Sequence, residues 1–488
     1  MQSFKTAFGR LPSPLIALIA VAALMSLAWN ISTVPLQGFD EADHVGYVAR
    51  LAETGSIPSP TTGRGAHGAD EETAMATLGL RPILQNPLAK PAWDQSSIQR
   101  FEKFEATLSS ADRGAGEGPN GISKNPPLYY AAEAAVWKIT PGGLFDRLFM
   151  MRLLSGLLLA AAVAFTWLLA GEVFTSRLPQ MVAAAFVALL PMAGFLGAII
   201  NPDIASAAAW TAFLWLALRM IRLGPSAQRT ALTTLVAVAA VLTHGRNLPI
   251  IPVLMIALVT AWVVNKPKPR EIVVGAASAL AVAVGGALIF GLTAARTTAG
   301  AFGGEANLGN TAAFNIRQFA SSIWQFYLPT FFNMQPRLGP AYGFRQMFIE
   351  QFFGGVFSSN EVFLSYTIYD VVQISLAILA LVFYTVLVLN WTTVRSRWPA
   401  VTVIISAAAA VLLFLHLASY RALLGGGSDP LITGRYLLPL VAIFGLALAT
   451  VVAGLPKRLA PIIAAVLIGA LFVLSIIALG STLERFYA

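Results

Sequence analysis

The chain has no cysteine among its 488 residues, which excludes disulfides, thiolate metal sites and thiol nucleophiles. Charge is scarce as well. Asp, Glu, Lys and Arg make up 11% of the residues and hydrophobic types 57%, so the chain cannot hide its apolar surface in water. Strict alternation of apolar and polar residues is missing, which excludes an outer-membrane barrel. What is present is a series of uninterrupted apolar stretches, several reaching the roughly 20 residues that cross a bilayer as helix. Lipid offers no partner to an unpaired backbone amide, so such spans are helices. The expected fold class is all-α, a polytopic membrane helical bundle.

Eleven spans are expected, at about 12–34, 148–171, 180–200, 204–220, 229–243, 249–264, 271–294, 368–390, 399–418, 436–454 and 460–480. The first follows Lys5 and Arg10 and runs past Trp29 with no small-residue cleavage site, so it reads as an uncleaved span rather than a signal peptide. The net charge of +9 does not point to nucleic acid, because the basic residues sit in short connections. Arg177, then Arg219, Arg222 and Arg229, then Lys266, Lys268 and Arg270, then Arg395 and Arg397, then Lys457 and Arg458 all fall inside if the N-terminus is cytoplasmic. The C-terminus then lies outside. The outer connections hold Asp203, Arg246, Arg421, Asp429 and Arg435.

The implied organisation is a first span (1–35), a first outer loop (36–146), spans two to seven (147–295), a second outer loop (296–367) and four last spans (368–488). The first loop carries fourteen of the 23 acidic residues. In it, 45–51 and 98–108 read as amphipathic helices, and the Gly- and Thr-rich stretch 59–72 as a mobile link. The second loop holds Arg296, Arg317, Arg337 and Arg345 with Phe319, Trp324, Phe326, Tyr327, Phe331 and Phe332, a composition suited to the headgroup layer.

Chemistry-bearing residues gather at the outer ends of spans. Gly38-Phe39-Asp40-Glu41-Ala42-Asp43-His44 follows the first span. A helix opening at Asp40 would align Asp40, Asp43 and His44 on one face, and with Glu41 these are four ionisable groups at the water edge, suited to acid/base work. A helix cap and an acidic first turn explain Asp40 and Glu41 without chemistry. A divalent metal on Asp40, Asp43 and His44 is a third reading. Lys124-Asn125-Pro126-Pro127-Leu128-Tyr129-Tyr130 reads as a helix start capped by Asn125, or as a sugar or lipid pocket lined by Asn125, Tyr129 and Tyr130. Asn201-Pro202-Asp203 reads as a turn and cap for the fourth span, or as a second acid facing the same outer cavity. His244, Arg246, Arg421 and Thr433-Gly434-Arg435-Tyr436 run against the inside bias. Anchoring at the interface is one reading and phosphate binding the other, since Gly434 permits close backbone approach and Tyr436 adds a donor.

With these residues in place the chain resembles the GT-C class of membrane glycosyltransferases. The apolar span followed by Phe39-Asp40-Glu41 and a helix with His44 is similar to the start of protein O-mannosyltransferases and of the lipid A aminoarabinose transferase. The set Asp40-Glu41-x-x-His44, Asn125 to Tyr130, Asn201-Pro202-Asp203 and Gly434 to Pro439 is more like a bacterial family of predicted multispan membrane proteins in that class. The resemblance implies a transferase at the periplasmic face of the bacterial inner membrane, and in-line displacement, with no carboxylate pair spaced for a covalent intermediate, would make it inverting. Its donor is a sugar on a polyprenyl phosphate, its acceptor a glycan or lipid, and no nucleic acid takes part. Asp40 is the implied general base, with Glu41 and Asp203 as further acids. Arg435, Arg246, His244, Tyr436 and Arg421 are assigned to the donor phosphate, and His44, Asn125, Tyr129, Tyr130 and Asn201 to substrate. The class often has His at the position of Asn125, and Lys where this chain has His244 or Arg246. A lipid-glycan transporter would carry more ionisable groups within its spans than Arg152 and His416. An oligosaccharide ligase or polymerase would share the outer arginines.

Overall fold

The computed structural model describes residues 12–488 except 60–62, 64, 84–85, 87, 93, 119–120, 295–313, 336, 339–342 and 425–431. Lys5, Arg10, Arg296, Asp429 and part of the 59–72 stretch lie outside the described residues. The first apolar run forms α1 (Ser13–Ser32). The first loop folds into α2 (Glu41–Thr54), α3 (Ala69–Thr77), α4 (Leu80–Ile83), α5 (Gln95–Glu105), α6 (Ser110–Arg113) and α7 (Leu128–Ile139). The bundle continues through α8 (Leu144–Val173), α9 (Arg177–Leu189), α10 (Pro191–Leu196), α11 (Pro202–Leu223), α12 (Ala227–Thr243), α13 (Ile250–Asn265) and α14 (Pro269–Ala294). The second loop contains α15 (Ile316–Tyr327), a π-helical segment (Arg345–Gly355) and a hairpin of two-residue strands, β1 (Val356–Phe357) and β2 (Val362–Phe363). The last helices are α16 (Tyr366–Leu389), α17 (Trp391–Ser396), α18 (Trp398–Leu424), α19 (Val441–Ala453) and α20 (Ala460–Tyr487).

Among the described residues, nine helices are long and apolar enough to cross a membrane, and the shorter apolar helices α9 and α12 occupy the third and fifth expected positions. The short length of α9 has a local cause. Pro191 excludes Leu190 from helical geometry (φ −69°, ψ 119°), and the chain resumes as α10. Pro439 acts similarly on the tenth position, where Gly434–Leu440 is a 3₁₀ segment and α19 starts only at Val441. Helix α11 is the most enclosed of the long helices, packed on α8, α12 and α13, whereas α14 and α16 lie at the periphery.

Side-chain ties define two faces. On one, Arg222 and Arg219 meet Glu172 at the end of α8, and Arg397 donates to the Val173 carbonyl. On the other, Lys90 of the first loop donates to the Glu484 and Arg485 carbonyls at the end of α20, and Arg485 pairs with Glu361 of the hairpin at 3.2 Å. Both long loops and the end of the last helix thus share one side, hereafter the loop face.

A buried ion pair joins the membrane bundle to the first loop. Arg152 of α8 grips both carboxylate oxygens of Glu41, at 2.8 and 2.6 Å, and both side chains are sealed from solvent. The same guanidinium donates to the carbonyls of Asn30, Thr33 and Val34 at the end of α1. Glu41 also accepts from the backbone amides of Gly38 (3.1 Å) and Ile200 (3.0 Å). A buried pair is tolerable only when its remaining hydrogen-bonding capacity is filled, as here. Gly38 is small for a reason: a Cβ there would lie 2.9 Å from Ile199 Cβ, so a side chain would push the two segments apart.

The expected amphipathic helices are present as α2 and α5. The stretch 59–72, expected to be a mobile link, ends in the first turn of α3, and Gly65 pairs with Gly118. Its tether is His67, whose ring nitrogens meet Asp43 Oδ1 at 3.0 Å and Glu72 Oε1 at 2.9 Å. Two carboxylate acceptors require both ring nitrogens to donate, so the imidazolium is favoured. Burial lowers the His67 pKa, but the two carboxylates outweigh it and hold the value above 6.5.

Arg152→Ala strands a buried carboxylate and costs about 3–5 kcal/mol, whereas Asp370→Ala, which breaks an exposed pair with Arg345, costs about 0–1 kcal/mol. Thermal unfolding in detergent measures both, and equal losses contradict the clamp. For His67, the raised pKa means that its stabilisation is complete below about 6.5 and is lost as pH rises through the folded value. The unfolding midpoint of the wild type therefore falls across that interval, and His67→Gln removes that part of the fall.

Candidate active site

Asp40 does not open α2. It precedes the first helical residue with left-handed backbone (φ 53°) and makes no side-chain cap. Leu36 is left-handed too (φ 62°), so the turn between α1 and α2 holds two non-glycine residues in a conformation that costs of order 1–3 kcal/mol each. The Gly38–Glu41 hydrogen bonds and the Asn201 amide, which donates to the Phe39 carbonyl at 3.2 Å, fix this turn. The consequence is that Asp40 leaves the helical face it was expected to share with Asp43 and His44. Asp40 meets Arg435, Asp43 meets His67, and His44 meets Tyr130 and Asn201. Among the described residues no group of three or more His, Asp or Glu is arranged to hold a metal ion.

Arg435 is the hub. Its Nη2 donates to Asp40 Oδ2 at 2.8 Å, its Nε lies 3.9 Å from Asp203 Oδ2, and its guanidinium sits over the Phe39 ring at 4.8 Å. Arg246 lies beside it, with Nη1 3.6 Å from Asp203 Oδ1 and Nη2 donating to the Tyr436 hydroxyl at 2.7 Å while covering that ring at 3.4 Å. Two carboxylates and two guanidiniums therefore converge, drawn from the α1–α2 turn, the start of α11, the α12–α13 connection and the segment before α19. The Asp40 side chain is half exposed. Burial pushes its pKa up, but the charge of Arg435, with His44 and Arg246 behind it, and the hydrogen bond from Arg435 hold it below 3.8. Asp203 Oδ2 and Arg435 Nη1 are buried without a hydrogen-bond partner among the described residues.

Asn201 caps α11 by accepting from the Asp203 amide at 2.9 Å, as the turn reading expected. A pocket opens beside Asp203, Arg246 and Tyr436. Ser206 and Asn247 continue its polar side, and Val411, Phe414, Leu415 and Pro439 form an apolar wall. Asn247 is locked by Trp210, which donates to its Oδ1, and by its own amide donating to Ser206. His244 Nδ1 accepts from the Arg246 amide at 3.0 Å, which fixes the start of this turn.

Other expected site residues take different places. Glu41 is held by Arg152 and two amides with no access to solvent, so it positions Asp40 rather than meeting a substrate. Asn125 does not cap α7, whose cap position is Pro127. Its amide instead donates to the Tyr130 hydroxyl at 2.9 Å, and that hydroxyl also meets His44 Nδ1 at 2.9 Å. His44, Asn125, Tyr129 and Tyr130 are buried and form a polar core beneath α2, with Tyr129 reaching Ser155 at 3.3 Å. Arg421 lies with its guanidinium 5.5 Å from the Phe314 ring, away from the pocket lining. Gly434 does permit a close approach, but to the π-helical segment. A Cβ there would lie 2.5 Å from the Met347 carbonyl oxygen, and the Gly434 amide donates to Gln351. The motifs gave no role to Phe39 beneath Arg435 and did not point to Arg152 as the partner of Glu41 or to the wall from α18, whose apolar residues look like those of any span.

Solved structures similar to this chain include the Archaeoglobus fulgidus oligosaccharyltransferase in complex with zinc and sulfate, at 14% identity and a TM-score of 0.44, covering 95% of this chain and 53% of that one. The same archaeal enzyme tethered to an acceptor peptide with the NVT sequon matches at 12% identity and 0.47, covering 96% and 55%. Archaeal oligosaccharyltransferase AglB from the same organism, in complex with an inhibitory peptide and a dolichol-phosphate, matches at 12% and 0.44, covering 97% and 56%. The chain spans little more than half the length of those proteins. No curated protein matches it. Residues 23–444 match the model of the family described as predicted membrane protein DUF2142, and the chain belongs to that family.

Proposed function

We propose that this protein is an inverting glycosyltransferase of the GT-C class. It moves a sugar from a polyprenyl-phosphate donor to an acceptor glycan or lipid at the loop face, which is periplasmic in a bacterial inner membrane. One observation carries the reading. Two carboxylates and two guanidiniums converge; one of each kind, Asp203 and Arg246, lines a pocket whose other wall is apolar, and a buried Arg435 nitrogen and Asp203 oxygen in the cluster lack hydrogen bonds among the described residues. Such a site suits a ligand with an anionic head and an apolar tail.

In this reading the acceptor hydroxyl gives its proton to the Asp40 carboxylate as its oxygen bonds to the anomeric carbon. The bond from that carbon to the phosphate oxygen breaks, and the polyprenyl phosphate leaves with the electron pair, its charge met by Arg435 and Arg246. A single in-line displacement inverts the centre. Asp203 orients the two guanidiniums. Asp40 alone is a weak base because Arg435 depresses its pKa. An arriving phosphate competes for Arg435, removes part of that charge and raises the basicity of Asp40. Donor binding thus prepares the base.

Asp40→Asn should fold, because asparagine tolerates left-handed backbone, and should lower transfer by at least about 100-fold. Mass spectrometry of envelope glycans from a deletion strain complemented with wild type or Asp40→Asn checks this. Loss of one sugar in both the deletion and the variant supports the reading; full restoration by Asp40→Asn contradicts the base, and loss of whole polymers favours a ligase or flippase. Arg435→Ala should lower turnover by about 10²–10³-fold. Unchanged single-turnover rates with saturating donor remove Arg435 from the reaction.

A further inference from the structure

Asn201 serves both carboxylates of the site at once. Its Oδ1 accepts from the Asp203 amide at 2.9 Å and caps α11, while its Nδ2 donates at 3.2 Å to the Phe39 carbonyl, in the turn that carries Asp40. The neighbours fix the orientation of this amide. Turned over, it would set its NH2 against the Asp203 N–H and its oxygen against the Phe39 carbonyl, and both backbone groups would lose their partner. Nδ2 also meets His44 Nε2 at 3.3 Å. Asn201 and His44 are both buried.

An amide NH2 only donates, so His44 Nε2 accepts from it and carries no proton. A neutral imidazole has one N–H, which is then at Nδ1, where it meets the Tyr130 hydroxyl at 2.9 Å. The Asn125 amide holds that hydroxyl at 2.9 Å, and Tyr130 stacks on Tyr47 with ring centroids 3.8 Å apart. Tyr47 in turn donates to the Asn125 carbonyl at 3.2 Å. An imidazolium would point a second N–H at the Asn201 NH2 and turn the contact into a repulsion. With His44 neutral, burial still pushes the Asp40 pKa up, and Arg435 and Arg246 hold it down without help from the imidazole.

We infer that His44 is a positioning residue acting through Asn201: as the neutral Nδ1–H tautomer it aims the Asn201 amide, and that amide sets the Asp40 turn and the start of α11 together. Tyr130 selects the tautomer. Phe39, whose carbonyl the amide holds, is also the ring beneath Arg435, so a turned Asn201 would disturb the base and its cationic partner in one movement. Glu41 fixes the same turn from its other side through the Gly38 amide, and the two ties act independently because they share no atom. The share of His44 in transfer rests on the transferase reading above; its tautomer does not.

Nitrogen NMR of the full chain labelled with ¹⁵N-histidine, in lipid nanodiscs at neutral pH, tests the inference. The chain has only four histidines, and His44 is assigned by the resonances lost in His44→Gln. The expected wild-type spectrum gives His44 a protonated Nδ1 and an unprotonated Nε2. Asn201→Asp keeps the cap but turns an acceptor toward the ring, so Nε2 becomes protonated there. His67 and His416, held by their own partners, stay as in the wild type and report an intact fold. A protonated Nε2 in the wild type, or a His44 spectrum that Asn201→Asp leaves unchanged in the folded protein, overturns the inference. In the complemented deletion strain, His44→Gln, whose amide oxygen can accept where Nε2 does, should keep transfer within about threefold of wild type, and His44→Leu should lose about 100-fold. Equal loss in both variants overturns the positioning role. Failure of the wild type to restore any sugar counts against the transferase reading instead, since the spectra decide the tautomer without it.

Discussion

The ion pair between Arg152 and Glu41 is the constraint on which the loop-face site depends. A charge pair sealed from water survives only if nearly every donor and acceptor is used. Here the use of those groups ties together four pieces of chain: the end of α1, the start of α2, the first third of α8 and the turn before α11. Asp40 stands one residue before Glu41 and Asp203 three residues after Ile200, so the clamp sets how far apart the two site carboxylates are held. It also explains how Asp40 can sit in left-handed backbone, because the turn is fixed from both ends by Glu41 and by Asn201.

Within the site, tight and loose contacts have different consequences. Arg435 is held firmly by Asp40 at 2.8 Å, while both guanidiniums stand 3.6–3.9 Å from Asp203. Two positive and two negative groups leave the cluster close to neutral. For the anion proposed to bind there, the donors are already aimed by Phe39 and Tyr436, and the looser contacts with Asp203 give way before the firm one with Asp40. The hydrogen-bonded core of His44, Tyr130 and Asn125 beneath α2 supports this arrangement from below rather than taking part in it.

The spans were legible in the sequence because a bilayer demands long apolar runs, and the eleven expected positions all carry apolar helices. The motif residues Asp40, Asp203, Arg246, Arg435 and Tyr436 were legible as a set, and the structure brings them together. Their neighbours were harder to read. Nothing local announces that Glu41 meets an arginine 111 positions away, so its acidity read as chemistry when it is a tether. Asn125 looked like a cap because Pro residues follow it, yet Tyr130 competes for its amide. The left-handed turn at Asp40, which dissolved the expected face with Asp43 and His44, is a tertiary effect of the clamp rather than a local preference. The apolar wall from α18 has no signature, since Val411, Phe414 and Leu415 are ordinary residues of a membrane helix.

The proposed phosphate site is made by Arg435 and by Arg246, which lines the pocket with the apolar wall. Native mass spectrometry of the purified protein titrated with a polyprenyl phosphate tests it most directly, comparing wild type with the Arg246→Ala/Arg435→Ala double variant and using the matching uncharged polyprenol as control. The account predicts saturable binding of the phosphate to wild type, loss of most of that binding in the double variant and little binding of the alcohol to either. Equal phosphate binding by the two proteins, or equal binding of phosphate and alcohol, contradicts it.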